Sequence, residues 1–300
     1  MNGKSIEILS AVCYNKVMES VRVKSFAKLN LTLYVTGVKD GFHMLDSLVC
    51  SVDLYDLITV KKRKDKLISV TMRGCGSECI AYEDNNAVKA AELFVNAYGT
   101  NGADITVYKN IPMGLGLGGS SADSAGVLNG LKKLYSINDE EGISMLADAT
   151  GSDTKYMLKG GYALLNGRGD KVGYIDSKLK LNFLLLAPKR GVSTAQCFKS
   201  FDSTGSFGGD SKGAVDALLS GDARAFRGKL ENSLAPAAKS LSEDIATAFG
   251  QLKEFDPLAV NMTGSGSGVY ALFENAEFRD YAKSRYRGKF TAYQLKTVFP

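Results

Sequence analysis

The chain has 300 residues, 45% of them hydrophobic, a net charge of +5, five cysteines and one histidine. That apolar content supports one large or two ordinary domains with their own cores, and no run approaches the ~18 apolar residues of a membrane span. A lone histidine and an odd, irregularly spaced set of cysteines without a secretory signal argue against structural zinc and a disulfide framework; they fit reduced thiols in a cytoplasmic protein.

Residues 1–20 read as an N-terminal extension with neither an Arg-rich nor a signal-peptide pattern. From Val21 the apolar residues alternate through Val23, Ala27, Leu29, Leu31, Leu33 and Val35, which predicts a half-buried strand. Lys24, Lys28, Asn30 and Thr32 then point to the other side. Strands are predicted near 47–60 and 67–72. The basic run Lys61-Lys-Arg-Lys-Asp-Lys66 between them has no interleaved aromatics, so it reads as a solvated hairpin end and not a nucleic-acid surface. A helix is predicted over 86–98, capped by Asp84 or Asn85 and ended by Gly99.

A short strand over 103–108 follows, then a glycine-rich segment and a helix whose apolar face holds Val127, Leu128, Leu131, Leu134 and Tyr135. Asp139 reads as the N-cap of the next helix, with Ile143, Leu146 and Ala147 buried. The run 181–187 reads as a central strand. Helices are predicted near 212–220, 223–234, 240–253 and 276–287, with strands at 269–273 and over the last ten residues. Strands and helices come in blocks, which predicts an α+β fold. Glycines cluster at 160–169, so the expected lobes are 21–165 and 166–300.

The segment Ile111-Pro-Met-Gly-Leu-Gly-Leu-Gly-Gly-Ser-Ser-Ala122 joins a predicted strand to a predicted helix. Glycines permit close backbone approach, and a helix start offers unpaired N–H groups at the positive end of its dipole. Together these make an anion site, most naturally for phosphate. A dinucleotide fingerprint would need an acidic residue ending a second strand about twenty residues on, and the acids Asp139 to Glu141 begin a helix instead. A P-loop would need Lys-Ser or Lys-Thr after Gly119, where Ser120-Ser121 stands. A glycine turn that only lets a helix pack closely is the other alternative.

The order Pro112…Gly-Leu-Gly-Gly-Ser-Ser-Ala122 resembles the phosphate loop of the GHMP kinases, which phosphorylate small alcohols. Phe26-Ala-Lys-Leu-Asn-Leu-Thr-Leu33, Asp40-Gly-Phe-His43, Asp53-Leu-Tyr-Asp-Leu-Ile-Thr59, Glu83-Asp-Asn85, Gly151-Ser-Asp153, Gly167-Arg-Gly-Asp170, Gly191-Val-Ser-Thr-Ala195 and Met262-Thr-Gly-Ser-Gly266 resemble further motifs of one branch, in its order. That branch acts on a cytidylylated methylerythritol in non-mevalonate isoprenoid synthesis. The resemblance implies a two-lobed fold with the site in the cleft between lobes, ATP and Mg²⁺, and a cytidine diphosphate-linked polyol as small-molecule partner. It implies a monomer or homodimer, with neither nucleic acid nor membrane as partner. The residues leave two alternatives open: a family relative acting on another alcohol, such as mevalonate or homoserine, or a nucleotide binder without catalysis.

By the same resemblance, Asp153 takes the hydroxyl proton and Lys28 stands beside it and the transferring phosphoryl group. Taken singly, a solvated strand lysine and a turn or cap aspartate are the plainer readings. ATP is expected against Pro112, Met113, Gly114, Leu115, Gly116, Leu117, Gly118, Gly119, Ser120, Ser121 and Ala122. Glu83, Asp84, Asn85 and Lys109 fall where the family lines its adenine pocket. Phe42 and Phe198 are expected to sandwich the cytosine while His43 reads its edge; without the resemblance, both phenylalanines read as core. Asn30 and Thr194 are expected as polar contacts to the polyol or its phosphates. No protein metal ligands are assigned. Lys155 is expected to add a cation near Asp153, and the turn 263–268 to buttress the phosphate loop.

Overall fold

A computed structural model describes residues 18–74, 76–77, 85–189, 191–204 and 206–300. The extension up to residue 17, Cys75, Cys79, Glu83 and Asp84 lie outside the described residues. Two antiparallel-rich sheets and nine helices among these residues make an α+β, two-lobed fold.

The first sheet is organised by one long strand, β3 (Phe42–Lys62). One of its edges carries β1 (Ser20–Asn30) and β2 (Tyr34–Lys39). The other carries β5 (Ala103–Lys109) and β6 (Tyr162–Gly167), extended outward by β4 (Ser69–Gly74) and β7 (Lys171–Ile175). The predicted single strand over 21–35 is broken after Asn30. The register with β3 shifts between Phe26 and Lys28, a bulge that buries consecutive residues where alternation predicts every second one. Lys28, Asn30 and Thr32 are therefore buried, not solvated, because their side of the chain faces the other lobe.

Helix α1 (Asn86–Tyr98) is capped by the Asn85 side chain, which accepts from the Ala87 N–H at 3.0 Å, and ends at Gly99 in the left-handed region. Helix α2 (Gly119–Tyr135) crosses the sheet closely, since a Cβ at Gly126 or Gly130 would press on Ile58 or Val60. Helix α3 (Glu140–Asp148) has Asp139 as N-cap, and the four-residue α4 (Thr154–Met157) leads into β6. Val23, Ile58, Val60, Phe94, Ile105, Leu128 and Leu131 form the core between this sheet and α1–α3.

The second sheet has the order β11-β8-β10-β9, built from β8 (Asn182–Ala187), β9 (Ala259–Met262), β10 (Val269–Phe273) and β11 (Thr291–Lys296). Helices α5 (Thr194–Thr204), α6 (Lys212–Leu219), α7 (Ala235–Leu241), α8 (Glu243–Lys253) and α9 (Ala276–Arg285) belong to this half. The helix predicted over 223–234 is only a 3₁₀ turn, Ala223–Phe226, because Asn232 spends its side chain on backbone groups instead of continuing a helix. The one predicted over 240–253 becomes two, with Ser242 in extended conformation between α7 and α8. Leu29, Leu48, Ile111, Leu185, Phe183 and Tyr270 form a core shared by both sheets, which fixes the lobes against each other beneath the glycine segment.

Candidate active site

The glycine segment forms a tight loop at the mouth of α2. Gly114, Gly116 and Gly118 have φ of 72°, 73° and 72°, a region that favours glycine. Leu115 and Leu117 point inward and are buried, whereas Met113 and Gly114 are exposed. No side chain caps α2, so its first N–H groups and dipole are open to an anion. From the second lobe, the turn 263–268 closes on the loop. Ser267 N–H donates to Gly114 O at 3.0 Å, Gly268 N–H to Leu115 O at 3.2 Å, and Thr263 Oγ1 to Gly116 O at 3.0 Å.

Lys28 lies at the base of this loop. Its own N–H donates to Leu117 O at 3.1 Å, and its side chain runs 3.4 Å from where a Cβ on Gly118 would stand. The ammonium sits 3.3 Å from Asp153 Oδ2 and donates to Asn30 Oδ1 at 2.5 Å. Asp153 occupies the N-cap position of α4 but makes no capping bond, so its carboxylate is free to face Lys28. The lysine side chain is 6% exposed and the aspartate 23%, which leaves the carboxylate reachable. Lys155 turns away from this pair and bonds Asp148 at 2.9 Å, so the cation expected near Asp153 is spent elsewhere.

Asn30 is a hub. Its Oδ1 also accepts from Gly264 N–H at 2.9 Å, Nδ2 donates to Ser47 Oγ at 2.8 Å, and its N–H donates to Thr263 Oγ1 at 3.1 Å. It holds Lys28 and the buttressing turn together, and the second N–H of its Nδ2 is the donor left for the contact to a polyol expected of it.

Lys109 is likewise buried, under the loop and not in an open pocket. Its ammonium bonds Asp56 Oδ2, Asp123 Oδ2 at 2.6 Å and Gly119 O at 3.5 Å. Asp56 Oδ1 in turn accepts from Asn110 N–H at 2.6 Å and Ile111 N–H at 2.8 Å. The triad thus ties the start of the loop to the first turn of α2. Burial pushes the Asp123 carboxyl up to about 8 against the pull of Lys109, with Asp56 adding to the push. Burial alone would lower the Lys109 ammonium, but the two carboxylates outweigh it and hold it above its ordinary value. Neither Asp56 nor Asp123 was singled out as a functional residue in the sequence.

Further out, Asn86 Nδ2 donates to Ser120 Oγ at 2.9 Å and joins the start of α1 to the start of α2; Asn85 beside it caps α1 through its Oδ1. Ser121 follows in the first turn, and Ala122 is buried with its N–H on Gly118 O. Pro112 is half-buried at the loop's entry. Across the cleft, Phe198 on α5 meets His43 on β3 with ring centroids 4.5 Å apart and planes at 32°. His43 Nε2 bonds Asp202 at 2.7 Å. Phe42, the next residue along the strand, projects to the opposite side, where the Arg168 guanidinium lies 4.2 Å over its ring. The ring facing Phe198 is therefore the histidine and not Phe42, the partner expected in the sandwich. Thr194 Oγ1 pairs with Ser265 Oγ at 2.9 Å, which places α5 beside the buttressing turn.

An uncapped glycine loop with a buried lysine–aspartate pair at its base suits phosphoryl transfer to a small molecule. Comparison with known proteins agrees. Residues 85–161 match the GHMP kinases N terminal domain and residues 214–288 the GHMP kinases C terminal domain. The chain is 35% identical over 270 residues to 4-diphosphocytidyl-2-C-methyl-D-erythritol kinase of Desulfitobacterium hafniense, covering 87% of this chain and 90% of that one. It is 34% identical over 262 residues to the same enzyme of Caldanaerobacter subterraneus, covering 86% and 89%. A crystal structure of 4-(cytidine 5'-diphospho)-2C-methyl-D-erythritol kinase superposes with a TM-score of 0.77 at 26% identity, over 93% of this chain and all of that one. Homoserine kinase from Cytophaga hutchinsonii shares the fold, with a TM-score of 0.73 at 17% identity over 95% and 96%. The chain belongs to the GHMP kinases, and within them to the 4-diphosphocytidyl-2-C-methyl-D-erythritol kinase family.

Proposed function

We propose that this protein transfers the γ-phosphoryl group of ATP to the 2-hydroxyl of 4-diphosphocytidyl-2-C-methyl-D-erythritol. The observation that carries the reading is the Lys28–Asp153 pair, 3.3 Å apart at the base of a glycine loop that leads into an uncapped helix. In this reading the backbone N–H groups from Gly116 to Ser121 bind and orient the phosphates. Asp153, next to a cation and not consumed as a cap, accepts the hydroxyl proton at Oδ2. Lys28 stabilises the charge that grows on the transferring group, which a buried ammonium does more strongly than a solvated one. The ring pair His43–Phe198 takes the cytosine end, by stacking on Phe198 and hydrogen bonding at the imidazole. The hydroxyl oxygens of Ser120 and Ser121 are hard donors that suit Mg²⁺, which when bound neutralises phosphate charge.

A coupled ADP-release assay tests this against a panel of the cytidylylated substrate, mevalonate and homoserine. Turnover is expected with the first alone, and a loss of ~10²–10⁴-fold in kcat for Asp153→Asn or Lys28→Met. Preference for mevalonate or homoserine would overturn the substrate. Near-normal turnover of either variant would overturn the residue roles.

A further inference from the structure

A cavity of about 680 Å³ lies along the edge of β1, away from the phosphate loop. That is the volume of a small-molecule site. Its walls carry Arg22 and Lys24 from β1, Lys132 and Lys133 from the end of α2, Lys155 from α4 and Lys159 just beyond. Glu140 is the only acidic side chain among the lining residues, and Pro300, the last residue, adds its main-chain carboxylate, so six cations face two anions. Lys132 is paired with Glu140 and Lys155 with Asp148, while Lys24 and Lys159 lie over the rings of Tyr55 and Tyr174. Arg22 and Lys133 have no carboxylate partner among the described residues.

Charges on an edge strand also serve to block pairing with other strands. That role requires no concavity, yet here Ile143, Met157 and Val172 give the cations an apolar floor. Low-dielectric walls lined by one sign of charge concentrate counter-ions of the other sign.

We propose that this cavity binds a small, multiply charged anion of the phosphate-ester or polyphosphate class, and that its occupancy is felt at the transfer site. The link is α4. Asp153 is its N-cap, Lys155 and Met157 line the cavity, and the Met157 methyl packs where a Cβ on Gly118 would stand. An anion that draws Lys155 from Asp148 pulls on the same single helical turn that orients the aspartate.

The test is calorimetric titration of inorganic pyrophosphate into the full-length protein already saturated with a non-hydrolysable ATP analogue. A saturable event is expected that weakens about tenfold or more in Arg22→Gln/Lys133→Gln. It should persist in Lys178→Gln/Lys180→Gln, which removes equal charge elsewhere. Saturating pyrophosphate should shift kcat in the parent protein but not in Arg22→Gln/Lys133→Gln. Three results would each overturn the site: no second event, equal weakening in both variants, or binding of an acidic peptide without binding of pyrophosphate. An unchanged kcat would overturn the link to α4. The analogue is titrated separately, so a failure of the kinase reading appears there, while the two double variants still score the cavity.

Discussion

Replacing Lys109 by methionine separates a structural ion triad from a nucleotide contact. Lys109, Asp56 and Asp123 are 4%, 0% and 3% exposed, so the three groups share one dry site with two acids and one base. Methionine keeps much of the volume but leaves the buried Asp56 carboxylate, with the Asp123 carboxyl beside it, without a cation. Breaking a buried pair in this way costs about 3–5 kcal/mol, a large part of a domain's ~5–15 kcal/mol. Asp123→Asn does the opposite, because it leaves one base facing one acid. Its expected cost is under about 1 kcal/mol, since the carboxyl it replaces is already driven toward its neutral form. The sign of the pH dependence follows. The folded pKa of about 8 lies above the ordinary 3.8, so the native state keeps a proton that the unfolded chain releases. This group's contribution is full below the unfolded value and declines as pH rises toward 8, by at most about 1.4 kcal/mol per unit. Urea unfolding of parent, Lys109→Met and Asp123→Asn at pH 5, 7 and 9 measures all three effects, and Asp123→Asn should flatten the slope. The reasoning fails if Lys109→Met unfolds within about 1 kcal/mol of the parent, or if the asparagine is as damaging as the methionine.

Three further substitutions probe the loop and its walls. Gly116→Ala puts a methyl into the Thr263 carbonyl at φ 73°, so KM for ATP should rise about tenfold or more, with ~1–3 kcal/mol of stability lost. Phe198→Ala should raise KM for the cytidylylated substrate about 5- to 150-fold in a steady-state assay while KM for ATP holds, the span expected for one stacked base. Asn30→Ala frees the Lys28 ammonium, the Gly264 N–H and the Ser47 hydroxyl at once; kcat should fall about 10- to 100-fold, with little change in KM for either substrate.

The glycine loop, the helix after it and the α+β class were legible because each rests on local pattern: turn glycines, apolar periodicity and caps. The Lys28 and Asp153 motifs came with the family resemblance. Their proximity is set by a bulge in β1 and by a four-residue helix, neither of which has a period to detect. The triad left a trace that was readable in principle. Lys109 continues the buried phase of Ala103, Ile105 and Val107, and Asp56 continues that of Ile58 and Val60. A charge in phase with core residues on each of two neighbouring strands announces a buried pair. Asp123 carries the helical form of the same signal, standing four and eight residues before the buried Val127 and Leu131. The His43–Phe198 pairing was beyond reach of pattern, because it joins a strand of the first sheet to a helix of the second half, whose relative placement is a property of the shared core.

Under the proposed function, that placement separates chemistry from recognition. Lys28 and Asp153 come from β1 and the start of α4, both elements of the first half, and Asn30 fixes the lysine to the turn 263–268. The rings come from both halves, with His43 on β3 of the first sheet and Phe198 on α5 beside the second. A ligand end stacked on the outer face of this ring pair would meet groups of both halves only at one separation of the lobes, and the same separation presses the turn 263–268 onto Gly114, Leu115 and Gly116. On that reading, binding energy released far from the reacting hydroxyl would be available to set the loop that holds the phosphates. A truncated alcohol lacking the cytidine end would reach Asp153 but leave that energy unused, and the loss would appear in kcat as well as in KM.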